Sequence, residues 1–300
     1  MTTPTPLPPG RLRVGVVGAG KVGAVLGAAL AATGHLVVGA VAVSGASRER
    51  AAVLLPDAPV LPVDEVVSAS DLVLLAVPDD ALADVVRGLA ETLVWRPGQL
   101  ALHTSGRSGL APMLPAIDVG VGAMAIHPAM SFTGTAMDLE RLPGTCFGIT
   151  APPDLRPIAE ALVVEMGGEP VPIDEFDRVR YHLALVHGSN YAITLIAQAM
   201  QVLAGAGVEH PDRVLRPLLN ASVDNALRMG DAALTGPVAR GDAGTVAEHL
   251  AVLREETPDV GDTYRALARA TVARARGAGR LSQSAGARID AVLDESGGAP

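Results

Sequence analysis

Six residues near the amino terminus, Gly18-Ala19-Gly20-Lys21-Val22-Gly23, have the types and spacing to hold a pyrophosphate. Gly18 permits a tight turn, Gly20 lets a phosphate approach the backbone, and Gly23 lets a following helix pack on the preceding strand. The free N–H groups and positive dipole end at the start of that helix favour an anion. A second polar group, Ser44, Ser47 and Arg48, follows the next apolar run. In a dinucleotide site this loop meets the adenosine ribose, where a carboxylate would accept from the 2′-hydroxyl and repel a 2′-phosphate. No carboxylate occurs there before Glu49, and two hydroxyls with an arginine suit a phosphate. The pair of motifs predicts NADP(H) in preference to NAD(H). The bland alternative for the second is a solvated loop with Ser47 capping a helix.

Proton-transfer chemistry has four candidate stretches. Val77-Pro78 and His103-Thr104-Ser105-Gly106 end predicted strands, and their groups, Thr104 and Ser105 above all, can reach the nicotinamide ribose or a substrate; a capped turn is the competing reading. His127, fixed by Pro128 at another strand end, is placed to act as acid or base near neutral pH. In Tyr181-His182-Leu183-Ala184-Leu185-Val186-His187-Gly188-Ser189-Asn190, His182 and Ser189 are seven apart and share a helical face, with Asn190 beside them. Such polar groups need partners if buried, and a substrate between sheet edge and helix would supply them. Gly188 inside that helix predicts something packing close. Arg240, in a tight loop before Asp242, could clamp a carboxylate in two-point fashion. Lys21 is the only lysine, so no catalytic lysine exists outside the glycine turn.

These groups require a scaffold, and the patterning supplies one. Apolar runs at 11–17, 35–43, 71–77, 100–103, 121–126, 145–150 and 169–173 alternate with helical stretches, which predicts a doubly wound α/β domain with a parallel sheet. After Pro172 the pattern becomes helical: 177–204 as one long helix, then 211–229, 242–255, 262–276 and 282–293. The expected division is a Rossmann-type cofactor domain over 1–174, with residues 1–10 as a flexible arm, and an all-helical substrate and dimerisation domain over 175–300, frayed at its last residues.

The bulk properties exclude several classes. The 300 residues are 49% hydrophobic and 18% charged, with a net charge of −9. An acidic chain without a basic cluster is a poor nucleic-acid binder. One cysteine, Cys146, excludes an internal disulfide, and the seven histidines lack metal-ligand spacing, so no metal is expected. The first residues carry no signal-peptide pattern, and Gly, Lys21 and His35 interrupt the apolar stretch 12–43, so no membrane span and a cytoplasmic location are expected.

Taken together, GAGKVG, AVPDDAL, HTSG, AIHPAMSF, the YHLALVHGSNY helix and LTGPVARGD…HL resemble bacterial proteins that join a Rossmann-like domain to a helical C-terminal domain of unknown function. That group is similar in architecture to ketopantoate reductase, pyrroline-5-carboxylate reductase, 6-phosphogluconate dehydrogenase and prephenate dehydrogenase. The resemblance implies an NADP(H)-dependent oxidoreductase and a homodimer. Its substrate would be a small carboxylate-bearing molecule, a 2-oxo acid such as ketopantoate in the leading reading. His182 falls where ketopantoate reductase and the hydroxyacid dehydrogenases carry a lysine, and Asn190 matches their downstream asparagine. His127-Pro128 with Met130 is similar to a short stretch of prephenate dehydrogenase. A prephenate-type dehydrogenase, an imine reductase and a non-catalytic NADP-binding sensor or scaffold are the alternatives.

Overall fold

The computed structural model describes residues 8–295, so most of the expected arm and the last five residues lie outside the described chain. The chain divides into two compact units, residues 1–186 and 187–300. The division falls beyond the expected 174, because residues 175–186 belong with the sheet.

The first unit alternates strands and helices: β1 (Arg13–Val17), α1 (Lys21–Ala32), β2 (Leu36–Val41), α2 (Gly45–Leu54), α3 (Val63–Ala69), β3 (Leu72–Leu75), α4 (Asp79–Glu91), β4 (Leu100–His103), α5 (Leu114–Ile117), β5 (Gly122–Pro128), α6 (Met137–Arg141), β6 (Cys146–Thr150), α7 (Arg156–Glu165), β7 (Glu169–Pro172) and α8 (Arg178–Leu185). The seven strands form one sheet in the order β2-β1-β3-β4-β5-β6-β7. The chain leaves β1 toward β2 and returns to β3 on its other side, so the direction of winding switches beside β1, where α/β sheets bind ligands at the strands' carboxyl ends. Successive strand residues feed opposite faces: Val14, Val16, Leu72 and Leu74 join one core, Val17, Val73 and Leu75 the other.

One expectation for the sheet needs correction. β6 runs antiparallel to β5, pairing Pro128 with Phe147 and Ala125 with Thr150. The connection 129–145 returns the chain to the sheet from the carboxyl end of β5, whereas the 104–121 connection of similar length crosses back to make β5 parallel to β4. The other five pairings are parallel.

The long helix expected over 177–204 is also interrupted. α8 ends at Leu185, residues Val186–Asn190 form a π turn, and α9 runs from Tyr191 to Gly205. The π turn straddles the division between the units. It inserts extra backbone into the α-helical register, so residue spacings across 186–190 no longer follow the 3.6-residue period.

The second unit continues with α10 (Pro211–Met229), α11 (Gly236–Arg240), α12 (Ala243–Glu256), α13 (Pro258–Gly277) and α14 (Gln283–Glu295). Asp242 caps α12 as its sequence position predicts, Oδ1 accepting from the Thr245 N–H at 3.1 Å. Val246, Leu250, Val272, Ile289 and Leu293 form the unit's core. Among the described residues no helix is long and apolar enough to cross a membrane.

Candidate active site

The glycine turn is built as its spacing predicts. Gly18 has φ +101°, and a side chain there would run into the Ala76 carbonyl after β3. A Cβ on Gly23 would overlap the Gly18 carbonyl oxygen and press on the Ala76 methyl. Gly20 differs: it opens α1, and nothing lies within 4 Å of where its Cβ would be. Two glycines are therefore demanded by packing and one by open space. No side chain caps α1, and its first turn contains no acid, so its leading N–H groups stay available to an anion. Ala19 donates to Val41 O at 2.9 Å, which ties the turn to the end of β2.

Beyond β2, Ser44 and Ser47 face a competing demand. Ser44 Oγ accepts from the Ser47 N–H at 3.1 Å and Ser47 Oγ donates to Ser44 O at 2.8 Å, so both hydroxyls cap α2. Arg48 points from the exposed side of that helix. The cation that returns to the glycine turn is Arg50: its Nη1 donates to Ala19 O at 3.2 Å. Sequence reasoning missed it, although helical spacing puts it on the face that carries the buried Ala51 and Leu54.

At the carboxyl ends of β3 and β4, Val77 is half-buried and Pro78 precedes α4, beside the Ala76 carbonyl that confines Gly18. Thr104 is half-buried, its N–H bonded to Leu75 O at 3.2 Å. Ser105 Oγ accepts from the Ser108 N–H at 3.3 Å, the turn-capping alternative. His103 is fully buried; its Nδ1 accepts from the Ser105 N–H, so its Nε2 donates to Gly109 O at 2.8 Å. Both nitrogens are thus occupied in the neutral form, and burial pushes its pKa down to about 4.

The proton-transfer candidates of this unit meet on the far side of Gly106. His127, on β5, bonds through Nδ1 to the Tyr181 hydroxyl at 3.0 Å. The His182 ring stands edge-on to His127 with centroids 6.2 Å apart. A Cβ on Gly106 would lie 2.6 Å from His182 Cδ2 and 2.9 Å from His127 Nε2. A Cβ on Gly148, the cross-strand partner of His127, would lie 2.8 Å from the Tyr181 hydroxyl. The cluster exists because two glycines leave room for three rings.

Behind it sits Arg178, 1% exposed. Its Nε donates to Thr150 Oγ1 at 2.7 Å and its Nη2 to Ala125 O and Gly148 O at 2.8 and 3.1 Å. Nη1 has no hydrogen-bond partner, and no carboxylate pairs with this guanidinium among the described residues. Burial lowers its pKa to about 10, so it remains a cation at neutral pH. Burial first, then this cation and His182, push His127 down to about 4. That corrects the expectation of an acid titrating near neutrality: His127 is held neutral. Burial raises the Tyr181 phenol, which keeps its proton.

Ser189, Asn190 and Arg240 lie in the second unit and are exposed. Gly188 has nothing within 4 Å of its Cβ position, so the close packing expected there is not found. The same unit carries an apolar groove of about 650 Å³, lined by Leu195, Val202, Val214, Leu218 and Leu267 and not by Arg240.

Comparison with known proteins matches this anatomy. No curated protein matches the chain. Solved structures share its fold. A candidate NADP oxidoreductase from Bacteroides fragilis aligns with TM-score 0.73 at 21% identity, over 87% of this chain and 98% of its own. The imine reductase of Myxococcus stipitatus in complex with NADP+ gives 0.64 at 18%, over 92% and 99%. The pyrroline carboxylate reductase of Plasmodium falciparum with NADP bound gives 0.55 at 12%, over 95% and 97%. Residues 1–128 match the Rossmann-like domain family and residues 145–271 match a domain of unknown function, DUF2520. The chain thus carries a Rossmann-like domain followed by a DUF2520 domain.

Proposed function

We propose that this protein is an NADP(H)-dependent oxidoreductase that reduces a small C=O or C=N compound. The observation that carries the reading is the glycine turn, where Gly18 and Gly23 are confined by backbone while the space over Gly20 and the first N–H groups of α1 stay open. A pyrophosphate fits that combination of close approach and unpaired donors. Bound there, NADPH supplies a hydride.

The chain's own residues supply the proton and the polarity. Tyr181, which keeps its proton at rest, donates it to the developing oxyanion or amide-like nitrogen and is left as a phenolate beside the Arg178 cation, while neutral His127 orients the phenol through its Nδ1 contact. His182 is the alternative donor beside it. Ser189, Asn190 and Arg240 are exposed polar groups of the second unit. The leading substrate is a short 2-oxo acid such as ketopantoate; a cyclic imine is the second reading, favoured by the imine and pyrroline carboxylate reductases among the structural neighbours.

A homodimer belongs to the same proposal. α9 is apolar apart from one stripe, Thr194, Gln198 and Gln201, yet none of its residues is buried within the chain. A helix of that composition calls for cover.

The test is calorimetric binding of NADPH and NADH, then loss of NADPH absorbance with a panel of 2-oxo acids and cyclic imines. Preferred NADPH binding with turnover that falls in Tyr181→Phe supports the reading. Absence of binding to either nucleotide refutes it, and tight NADPH binding without turnover across the panel moves the protein to the sensor alternative.

A further inference from the structure

We infer that Arg50, rather than Arg48, reads the 2′-phosphate of the cofactor, with Lys21 beside it and the Gly134 turn as its backstop. The inference rests on the proposed NADP(H) reading and names the residue that makes it selective. Arg50 leaves the face of α2 that packs inward and reaches back to Ala19 O at 3.2 Å. Ala19 is bonded in turn to Val41 O at the end of β2. Arg50 therefore spans the gap between the end of β2 and the glycine turn, where the adenosine ribose of a dinucleotide lies. Only one donor contact of its guanidinium is spent on the protein, on a neutral carbonyl, and no carboxylate pairs with Arg50 or Lys21 among the described residues. The other donors of the planar fork remain for an anion.

A separate part of the fold holds this arginine in place. Residues 133–135 form a turn over the glycine loop, and a Cβ on Gly134 would lie 2.6 Å from Arg50 Nε and 2.9 Å from Lys21 Cγ. Gly134 has φ +82°, a second reason for glycine. The turn is fixed from below by the fully buried Asp138, which accepts from the N–H groups of Thr133 and Gly134 at 2.9 and 2.6 Å and from the Thr133 hydroxyl at 2.9 Å. Asp138 forms no ion pair with Arg50 or Lys21 among the described residues. Ser44 and Ser47, by contrast, already spend their hydroxyls on the α2 cap.

The experiment is calorimetric titration of the full chain with 2′,5′-ADP and with 5′-ADP. The wild type binds the 2′-phosphorylated nucleotide more tightly. Arg50→Met loses on the order of tenfold or more in affinity for 2′,5′-ADP, as expected for a charge-assisted contact, and leaves 5′-ADP unchanged. Arg48→Met changes neither by more than about threefold. Gly134→Ala, which displaces Arg50 without removing it, weakens 2′,5′-ADP selectively. Loss of selectivity in Arg48→Met with selectivity retained in Arg50→Met overturns the assignment, as does an equal loss for both nucleotides in Arg50→Met. A wild type that binds neither nucleotide overturns the NADP(H) reading itself, a result separate from either of these.

Discussion

Acidification from neutral pH should destabilise the first unit, and His103 and His127 set the size of the effect. Each has a pKa of about 4 in the folded protein against 6.5 for the free side chain, with burial as the chief cause. Between those values the unfolded chain binds protons that the folded chain refuses, so stability is fully present above 6.5 and falls as pH drops toward 4. At about pH 5 the loss is roughly 2 kcal/mol for each histidine, and it approaches about 3 kcal/mol each below their folded pKa. Asp71, Asp138 and Glu165 have pKa values lowered by their partners, so their own losses set in as pH falls through the usual carboxylate range, at and below the bottom of this window, and leave its upper part to the histidines. Trp95 is the only tryptophan, lies in the first unit and is 5% exposed, so its fluorescence reports that unit alone. Guanidinium unfolding followed by Trp95 at about pH 7.5 and about pH 5 should differ by roughly 4 kcal/mol for the wild type and by about half of that for His127→Gln. Equal midpoints at the two pH values would refute the claim that both rings are held neutral by burial.

Three further outcomes follow from the geometry. Gly20→Ala should keep wild-type melting yet lose NADPH affinity in calorimetry, whereas Gly23→Ala should lower stability by about 2 kcal/mol through overpacking, because only its Cβ meets protein atoms. Arg178→Met should cost about 2 kcal/mol, its three hydrogen bonds outweighing relief from burying a cation, and NMR titration should show His127 moving upward while staying below 6.5; unchanged or greater stability would reverse that balance. Leu195→Asp, on a helix with no buried residue, should convert the proposed homodimer to a monomer in sedimentation, and a wild type that sediments as a monomer would remove the dimer from the proposal.

Much of the first unit was legible because local pattern and tertiary role coincide there. A strand, three spaced glycines and an alanine-rich helix leave few ways to pack, and the seven apolar runs became the seven strands with boundaries shifted by a few residues. The direction of β6 was not legible, since an apolar run of five residues pairs equally well either way and the path of the connection decides, not its length. The π turn was hidden for a different reason: residues 177–204 carry no proline, and a single extra backbone step leaves the apolar pattern nearly intact. Arg50 had a signal in its helical spacing, but Arg48 stood closer to the loop where a phosphate was sought.

By itself, the amino-acid sequence determined the order of elements, the pyrophosphate turn and the absence of a carboxylate after β2, because these depend on residues adjacent along the chain. Only the tertiary structure decided which arginine returns to that turn, that Tyr181 joins His127 across Gly148, and that Arg178 remains a buried cation behind them. Those contacts join residues far apart in sequence, and their protonation is set by burial and neighbouring charge, quantities that have no value until the chain has folded.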